Sequence, residues 1–272
     1  MSMRRAAVLG SPIAHSLSPV LHRAAYEALG LEWTYEAVEM TEGGLTGFVD
    51  ACGPEWAGLS LTMPLKVAVL PLLDHSSELV RLSAAANTLV FTPQGREGHN
   101  TDVPGMVAAI REAAGPTGLV CTSATVLGGG ATGKSAVCAV RELGASVVTV
   151  AIRDPRRAHE MQPLADALHV ELRFVDWDEA VHHLDAPLVV STVPADSAAH
   201  LVTGVPNDPG LLLDVAYGDS AGTLAQAWRT TGAPVADGLG LLLWQAVGQV
   251  ELMTGQQAPV ERMRDALSAA AR

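Results

Sequence analysis

The stretch VLGGGATGKS, at residues 126–135, decides the fold of this chain. An apolar run, Ala124 to Leu127, leads into three glycines, and a helical pattern follows. That order predicts a strand, a tight turn and a helix. The N–H groups and the dipole of such a helix N-terminus bind anions, and glycines let a phosphate approach the backbone. The stretch therefore predicts that the chain binds a nucleotide.

Two nucleotide-binding signatures fit these letters. Gly128-x-Gly130-x-x-Gly133 is the dinucleotide fingerprint. The first and last of these glycines, followed by Lys134-Ser135, also form the Walker A loop of phosphoryl-transfer proteins. The stretch alone does not choose between them.

Residues further along favour the dinucleotide. Such a site carries a phosphate- or ribose-reading residue about 20 positions later, and Arg153, Arg156 and Arg157 cluster there. The planar guanidinium grips phosphate, so the cluster indicates a 2′-phosphate. Asp154 lies among the arginines, however, and a carboxylate here favours an unphosphorylated ribose. The Walker A signature needs an acidic residue at the end of a strand to bind Mg²⁺. Asp214 is a candidate for that residue, so both signatures stay open at this point.

The composition excludes several functional classes. The chain has 272 residues, 49% of them hydrophobic, and a formal net charge of -12, without the basic patch that nucleic-acid binding needs. Its three cysteines show neither metal nor disulfide spacing, so we expect no bound metal and a reducing, cytoplasmic location. We also expect no signal peptide and no membrane span, which needs ~20 apolar residues.

Strand and helix signals alternate along the chain, which predicts an α/β fold with two domains. The first hundred residues read as a small α/β unit, and a boundary is expected near Asp102. Two predicted helices, Leu239 to Thr254 and Val260 to Ala271, close the chain and are expected to return to the first unit. The predicted domains are residues 1–102 with 237–272, and residues 103–236.

Four polar stretches lie at the ends of predicted strands in the first unit, where α/β proteins place ligands. They carry Ser16 and Ser18, Thr62 and Lys66, Asn87, and Asp102. Each also has a simpler reading. The serines cap a helix, with Ser18 as N-cap and Pro19 as first helical residue. The lysine is a surface group, the amide is a turn residue, and the aspartate is an N-cap.

Taken together, these stretches resemble one family. The segments SPIAHSLSP (11–19), TMPLK (62–66), ANT (86–88) and NTD (100–102) precede the glycine-rich turn, and DVAY (214–217) and DGLG (237–240) follow it. In this order and spacing the chain resembles the shikimate dehydrogenases. The resemblance implies an N-terminal α/β substrate domain completed by C-terminal helices, and a Rossmann-like dinucleotide-binding domain.

The resemblance also implies an activity, the reversible NADPH-dependent reduction of 3-dehydroshikimate to shikimate in aromatic amino acid biosynthesis. Lys66 and Asp102 are the implied catalytic pair, with Lys66 donating the proton and Asp102 orienting it. Ser16 and Ser18 are the implied binders of the substrate carboxylate. The implied hydrogen-bonding set for the ring hydroxyls consists of Thr62, Asn87, Asp102 and Gln245, with Tyr217 as an additional contact.

The cofactor expected from the resemblance is NADP. Its implied binding residues are Gly128, Gly130, Ala131, Gly133, Arg153, Arg157, Thr192 and Gly238. The family's usual Asn-Arg-Thr after the second strand is here Ile152-Arg153-Asp154, and this aspartate makes NAD the alternative. Lys134 is then expected on the solvated side of its helix.

Three other functions stand beside this one. The first is a quinate or dual quinate/shikimate dehydrogenase using NAD, although serines at positions 16 and 18 favour shikimate. The second is a P-loop kinase, which would need Lys134 and Mg-ATP. The third is a non-catalytic NADP-binding regulator. For the dehydrogenase we expect a small-molecule substrate, no nucleic-acid or membrane partner, and a monomer or homodimer.

Overall fold

The structure, a computed structural model, describes residues 3–217 and 222–271. The chain divides into two compact units, residues 1–102 with 242–272, and residues 103–241. The first unit is discontinuous in sequence, because helices near the two ends of the chain pack against each other within it. The predicted domain bounds, residues 1–102 with 237–272 and residues 103–236, stay a prediction.

The described residues contain strands and helices in alternation. The strands are β1 (Arg5–Gly10), β2 (Thr34–Glu39), β3 (Trp56–Leu61), β4 (His75–Ser76), β5 (Thr88–Thr92), β6 (Gly95–His99), β7 (Ser123–Leu127), β8 (Val147–Ile152), β9 (Glu171–Asp176), β10 (Leu188–Ser191), β11 (Leu211–Asp214) and β12 (Val235–Ala236). The α-helices are α1 (Ser18–Ala28), α2 (Glu42–Ala51), α3 (Leu65–Ala68), α4 (Glu78–Ser83), α5 (Asp102–Ala114), α6 (Ala131–Glu142), α7 (Arg156–Leu168), α8 (Ala195–Ala198), α9 (Thr223–Thr230), α10 (Gly238–Thr254) and α11 (Val260–Ala270). Short 3₁₀ helices cover Leu70–Leu72, Gly115–Thr117, Trp177–His183 and Ala199–Gly204. The predicted α/β alternation is confirmed.

The first unit contains a mixed sheet with strand order β2-β1-β3-β5-β6-β4. Strand β1 pairs in parallel with β2 and β3, whereas β5 runs antiparallel to both β3 and β6. The β5–β6 hairpin was not expected from the sequence, because the polar segment Gly95–His99 lacks the β-branched residues typical of strands. Its signal is the turn at Pro93-Gln94, which joins the paired residues Thr92 and Gly95.

The second unit contains a parallel sheet with strand order β12-β11-β10-β7-β8-β9. Counted from β7, this is the order of dinucleotide-binding folds, in which the direction of winding changes between the first and fourth strands. The glycine-rich turn follows β7, and Thr192 follows its neighbour β10. The turn therefore lies at the switch point, where folds of this kind bind their ligands.

Candidate active site

An ion pair forms the centre of the site in the first unit. Lys66, on the short helix α3, donates from Nζ to Oδ2 of Asp102, the first residue of α5, at 2.6 Å. Their side chains are 16% and 8% exposed. A short, charge-assisted hydrogen bond in such a sheltered place is strong and geometrically defined. The Lys66 ammonium is therefore held at a defined point instead of extending into solvent.

Asn87 orients the other oxygen of this carboxylate. Its Nδ2 donates to Oδ1 of Asp102 at 2.9 Å and to Oγ1 of Thr101 at 2.9 Å. Its Oδ1 accepts the Thr101 backbone N–H at 2.8 Å. Gln245 lies beside it, with Oε1 at 3.4 Å from the same Nδ2. The structure thus brings Lys66, Asn87, Asp102 and Gln245 together, although they are far apart in the sequence.

Sheet topology explains this convergence. Since β5 is antiparallel to β3 and β6, its first residue, Thr88, pairs with Ser60 near the end of β3 and with His99 at the end of β6. Helix α3 follows β3 and helix α5 follows β6 after short connections. The segments that follow β3 and β6 and the segment that precedes β5 therefore lie at the same end of these three strands, together with their polar residues.

The serine-rich segment follows β1 and leads into α1. Ser18 is the first residue of α1 and Leu17 occupies the N-cap position, so the expected Ser18 cap and Pro19 start are each wrong by one residue. Pro19 instead takes the second helical position, where its missing N–H is also tolerated. The Oγ of Ser16 accepts the backbone N–H of Ser18 at 3.3 Å. Thr62, half-buried, follows β3; the substrate contacts of these hydroxyls stay predictions.

Glu39 is a residue that sequence reasoning missed. Its Oε1 accepts the hydroxyl of Ser11, and its Oε2 accepts the backbone N–H of Ile13 at 3.0 Å. The carboxylate at the end of β2 thereby holds the start of the serine-rich segment. The available signal was an acid at the end of a predicted strand.

A buried polar layer lies under the site and was also missed. His22 is fully buried, stacks on Tyr35 at 3.9 Å between ring centroids, and has Nε2 3.2 Å from Oε1 of Gln249. Its Nδ1 lies 3.3 Å from the Tyr26 hydroxyl. Burial lowers the pKa of His22 to about 3, so the imidazole is neutral at pH 7. Because the Gln249 oxygen can only accept, we assign the ring proton to Nε2.

The glycine-rich turn in the second unit is so closely packed that a Cβ atom at two of its glycines would clash with neighbouring atoms. Gly128 has φ +107°, and a Cβ there would meet the Thr192 hydroxyl. A Cβ on Gly133 would strike the carbonyl oxygen of Gly128. Gly130 occupies the N-cap position of α6 and Ala131 begins the helix, so helix N–H groups face the open turn. This geometry fits the pyrophosphate of a dinucleotide.

The Walker A reading finds less support in the geometry. The expectation that Lys134 lies on the solvated side of its helix is wrong. Its side chain is 13% exposed, with Nζ 3.6 Å from Glu160 on α7. Asp214, the candidate magnesium ligand, is 2% exposed and accepts the backbone N–H of Ala216 at 3.2 Å. Burial raises its pKa, which suits a structural carboxyl group better than a magnesium ligand.

Two of the three arginines in the cluster are paired with acidic side chains. Nε of Arg156 donates one hydrogen shared between the two carboxylate oxygens of Asp154, each at 3.0 Å, and Nη2 donates to Oδ2 at 2.8 Å. The Arg156 guanidinium lowers the pKa of this carboxyl. Arg157 pairs with Glu160 at 2.7 Å. Arg153 is exposed, and within residues 3–217 and 222–271 it makes no ion pair.

Two further predicted residues lie near β11. Tyr217 follows this strand and is half-buried. Gly238 begins α10, and a Cβ there would lie 2.5 Å from the carbonyl oxygens of Val215 and Ala216. Any larger residue would force α10 away from this segment. The ligand contacts of both residues stay predictions.

No group of three or more His, Cys, Asp or Glu side chains in the described part of the chain is arranged to hold a metal ion. Nor does any helix among these residues have the length and apolar content needed to cross a membrane.

Comparisons with known proteins decide the family. Residues 8–89 match the shikimate dehydrogenase substrate binding domain, and residues 238–267 match the shikimate 5'-dehydrogenase C-terminal domain. A shikimate dehydrogenase (NADP(+)) from Methanopyrus kandleri is 33% identical over 96% of this chain and 93% of its own. This chain belongs to the shikimate dehydrogenase family. Another family member, from Citrifermentans bemidjiense, is 34% identical over 97% of this chain and 94% of its own.

Solved structures of the family share the fold. The shikimate dehydrogenase of Mycobacterium tuberculosis is 42% identical, covers 98% of this chain and 99% of its own, and has a TM-score of 0.88. The Thermus thermophilus enzyme, solved with NADP(H) and shikimate, is 32% identical with a TM-score of 0.82, over 98% of this chain and 100% of its own. The predicted fold class, with an N-terminal substrate domain and a Rossmann-like domain, is confirmed.

Proposed function

We propose that this chain is a shikimate dehydrogenase that interconverts 3-dehydroshikimate and shikimate with NADP(H). The observation that carries the proposal is the Lys66–Asp102 hydrogen bond of 2.6 Å within a buried polar set. Family membership supports it, as does the NADP(+) in the names of relatives spanning nearly the whole chain. Because Lys66 and Asp102 form an ordered pair, a non-catalytic regulator is disfavoured, and the family disfavours a kinase.

The residues of the first unit have separate tasks in this reaction. NADPH, when bound, supplies the hydride that reaches C3 of the substrate. Lys66 faces the developing charge on the carbonyl oxygen, stabilises it and donates the proton that completes the hydroxyl. Asp102 keeps the ammonium in place and accepts from the neighbouring hydroxyl. The polar set of Thr62, Asn87 and Gln245 meets the ring hydroxyls, because an unpaired buried hydroxyl costs about 1–3 kcal/mol.

The second unit is proposed to hold the cofactor. Gly128, Gly130, Ala131 and Gly133 line the pyrophosphate site, with Thr192 beside it. Lys134, Arg153, Arg156 and Arg157 outnumber the carboxylates of Asp154 and Glu160, which leaves positive charge for a 2′-phosphate. This balance supports NADP over NAD.

One assay tests the proposed function. The purified chain is offered shikimate or quinate with NADP or NAD, and the reduced cofactor is measured by absorbance. We expect the largest kcat/KM for shikimate with NADP. A larger value for quinate with NAD would establish the alternative dehydrogenase, and inactivity with all four pairs would refute both.

The serines are expected to bind the substrate carboxylate. Ser16→Ala and Ser18→Ala should each raise KM for shikimate about tenfold, because each loses a hydrogen bond to a charged group worth about 1.5–3 kcal/mol. The measurement is a pair of steady-state titrations. Thr41→Ala, a control at the exposed N-cap of α2, should leave KM unchanged. Unchanged KM in the serine variants would leave the hydroxyls with local structural roles only.

Asp154 is expected to weaken the preference for NADP. Asp154→Thr frees Arg156 and removes a negative charge, so the Kd of NADPH should fall severalfold while that of NADH changes little. Cofactor fluorescence measures both constants without turnover. Glu171→Gln is the matched control, because Glu171 also holds an exposed arginine, Arg173, at 2.8 Å. A wild-type chain that binds NADH more tightly than NADPH would show the cofactor assignment to be wrong.

We further propose a cytoplasmic enzyme that is a monomer or a homodimer. Its three cysteines are free thiols, and burial raises the pKa of each of them, which supports a reducing compartment. Sedimentation equilibrium of the purified chain would determine its oligomeric state.

A further inference from the structure

We propose that Gln249 is a positioning residue for the Lys66–Asp102 pair and acts through a directed hydrogen-bond chain. This chain, called here the buried chain, runs in order through Tyr35, Ser60, Gln249, Thr88, Asn87 and Asp102. The inference rests on the proposed function, because it assigns a layer of residues beneath the same site to the same reaction.

Two backbone groups fix the direction of the buried chain. The Thr101 backbone N–H can only donate, so the Asn87 atom 2.8 Å away is Oδ1, and Nδ2 faces Asp102. The Asn87 backbone carbonyl can only accept, so the Gln249 atom 3.1 Å away is Nε2. The Gln249 oxygen therefore points the other way, toward Ser60. Both amide orientations follow from partners whose roles cannot be exchanged.

Hydroxyl groups join these anchored amides. The Thr88 hydroxyl accepts from Nε2 of Gln249 at 3.0 Å and donates to Oδ1 of Asn87 at 2.9 Å. The Ser60 hydroxyl accepts from the Tyr35 hydroxyl at 2.6 Å and donates to Oε1 of Gln249 at 2.8 Å. Each donor thus points along the chain toward Asp102. The final donor is the Asn87 amide, at 2.9 Å from the carboxylate.

The position of Gln249 makes it the junction of the buried chain. Its two N–H groups serve Asn87 O and Thr88, and its oxygen accepts from Ser60 and His22. It is 1% exposed, so water cannot replace these bonds. Consecutive hydrogen bonds in a low-dielectric interior polarise one another by about 10–30% per bond. Gln249 therefore strengthens the Asn87–Asp102 bond and holds the carboxylate that positions Lys66.

A purely structural role would predict a different result. If the buried chain only stabilised the fold, its loss would lower Tm and leave kcat per folded molecule unchanged. A positioning role instead lowers kcat while KM for shikimate changes little, because the substrate-contacting groups remain present. A conservative substitution that restores the hydroxyl should also restore kcat.

The experiment compares four variants with the wild-type enzyme. Gln249→Met and Thr88→Val each interrupt the buried chain, whereas Thr88→Ser keeps its hydroxyl. Thr125→Val is the matched control, since Thr125 is a buried threonine in the second unit that donates to the His183 carbonyl at 2.7 Å. Each variant is measured for Tm, for kcat and KM with shikimate and NADP, and for the NMR proton shift of the Asn87 side-chain amide.

We expect kcat to fall about tenfold in Gln249→Met and about fivefold in Thr88→Val, as for one or two lost hydrogen bonds. The Asn87 amide proton should move upfield in both, while Thr88→Ser stays near wild type. Thr125→Val should lose Tm but keep kcat. Wild-type kcat in a folded Gln249→Met or Thr88→Val overturns the proposal, as does a Thr88→Ser variant that behaves like Thr88→Val.

The design separates this proposal from the proposed function. Wild-type protein without shikimate–NADP activity refutes the function itself. An active wild type with unaffected variants refutes only the buried chain. Should both interrupting variants fail to fold, Tyr35→Phe, which keeps the ring stacked on His22, carries the test through the Asn87 amide shift alone, and an unmoved shift then overturns the proposal.

Discussion

Lys66→Ala is expected to lower kcat by about 10²–10⁴-fold, the usual contribution of a positioned general acid or base. The affinity for shikimate should change far less, because Lys66 acts mainly on the charge and proton that appear in the transition state. Its ammonium lies 2.6 Å from Asp102 in a sheltered position, so bulk water cannot replace it with equal geometry. Steady-state kinetics with shikimate and NADP give kcat, and calorimetric titration gives the shikimate Kd.

The sequence offers an unusually close control for this variant. Lys66 and Lys134 are the only lysines in the sequence, and the side chains of both are mostly buried and paired with a carboxylate. Lys134→Ala should retain kcat within a small factor, whereas a P-loop kinase would lose its activity. Near-wild-type turnover in a Lys66→Ala variant whose Asp102 side chain keeps its position would remove Lys66 from the mechanism.

His22 is expected to make the protein sensitive to mild acid. Folding lowers its pKa from 6.5 to about 3. Between these two pH values the imidazole is protonated in the unfolded chain and neutral in the folded chain. Stability from this group is complete above pH 6.5 and is lost as the pH falls toward 3. The loss amounts to about 1.4 kcal/mol per pH unit in this interval, or about 3 kcal/mol between pH 6.5 and 4.5.

Urea unfolding at several pH values would reveal this contribution. His22→Phe removes the titrating group, so its stability should depend less steeply on pH between 6.5 and 4.5. His75→Phe is the control, because it makes the same replacement at an exposed histidine. Identical slopes for wild type and His22→Phe would contradict a buried neutral imidazole.

Much of the fold was accessible from the sequence because its signals are local. Apolar runs and glycine turns indicated strands in both sheets, and a proline indicated the start of a helix. Lys66 and Asp102 were each placed at a segment end by the same reasoning. Their contact was not predictable from spacing, since it depends on the antiparallel course of β5 and β6.

The missed residues depend on long-range pairing. Gln249 reads as an ordinary polar residue in an apolar helix, and its partners Ser60 and Thr88 are 189 and 161 residues away in sequence. Glu39 and Glu160 likewise acquire meaning through Ser11 and Lys134, which lie on other segments. Counting arginines suggested a free cationic cluster, whereas two of them are already paired with acids.

The discontinuity of the first unit has a consequence for biosynthesis. Translation produces residues 1–102 before the second unit, yet residues 242–272, which complete the first unit, emerge only after the second. Until α10 leaves the ribosome, Ser60, Thr88 and His22 lack Gln249, and their polar groups must remain hydrated or find other partners. The continuous second unit meets no such delay. The nascent polypeptide can therefore fold its second unit before its first, reversing the N-to-C order of many multidomain proteins.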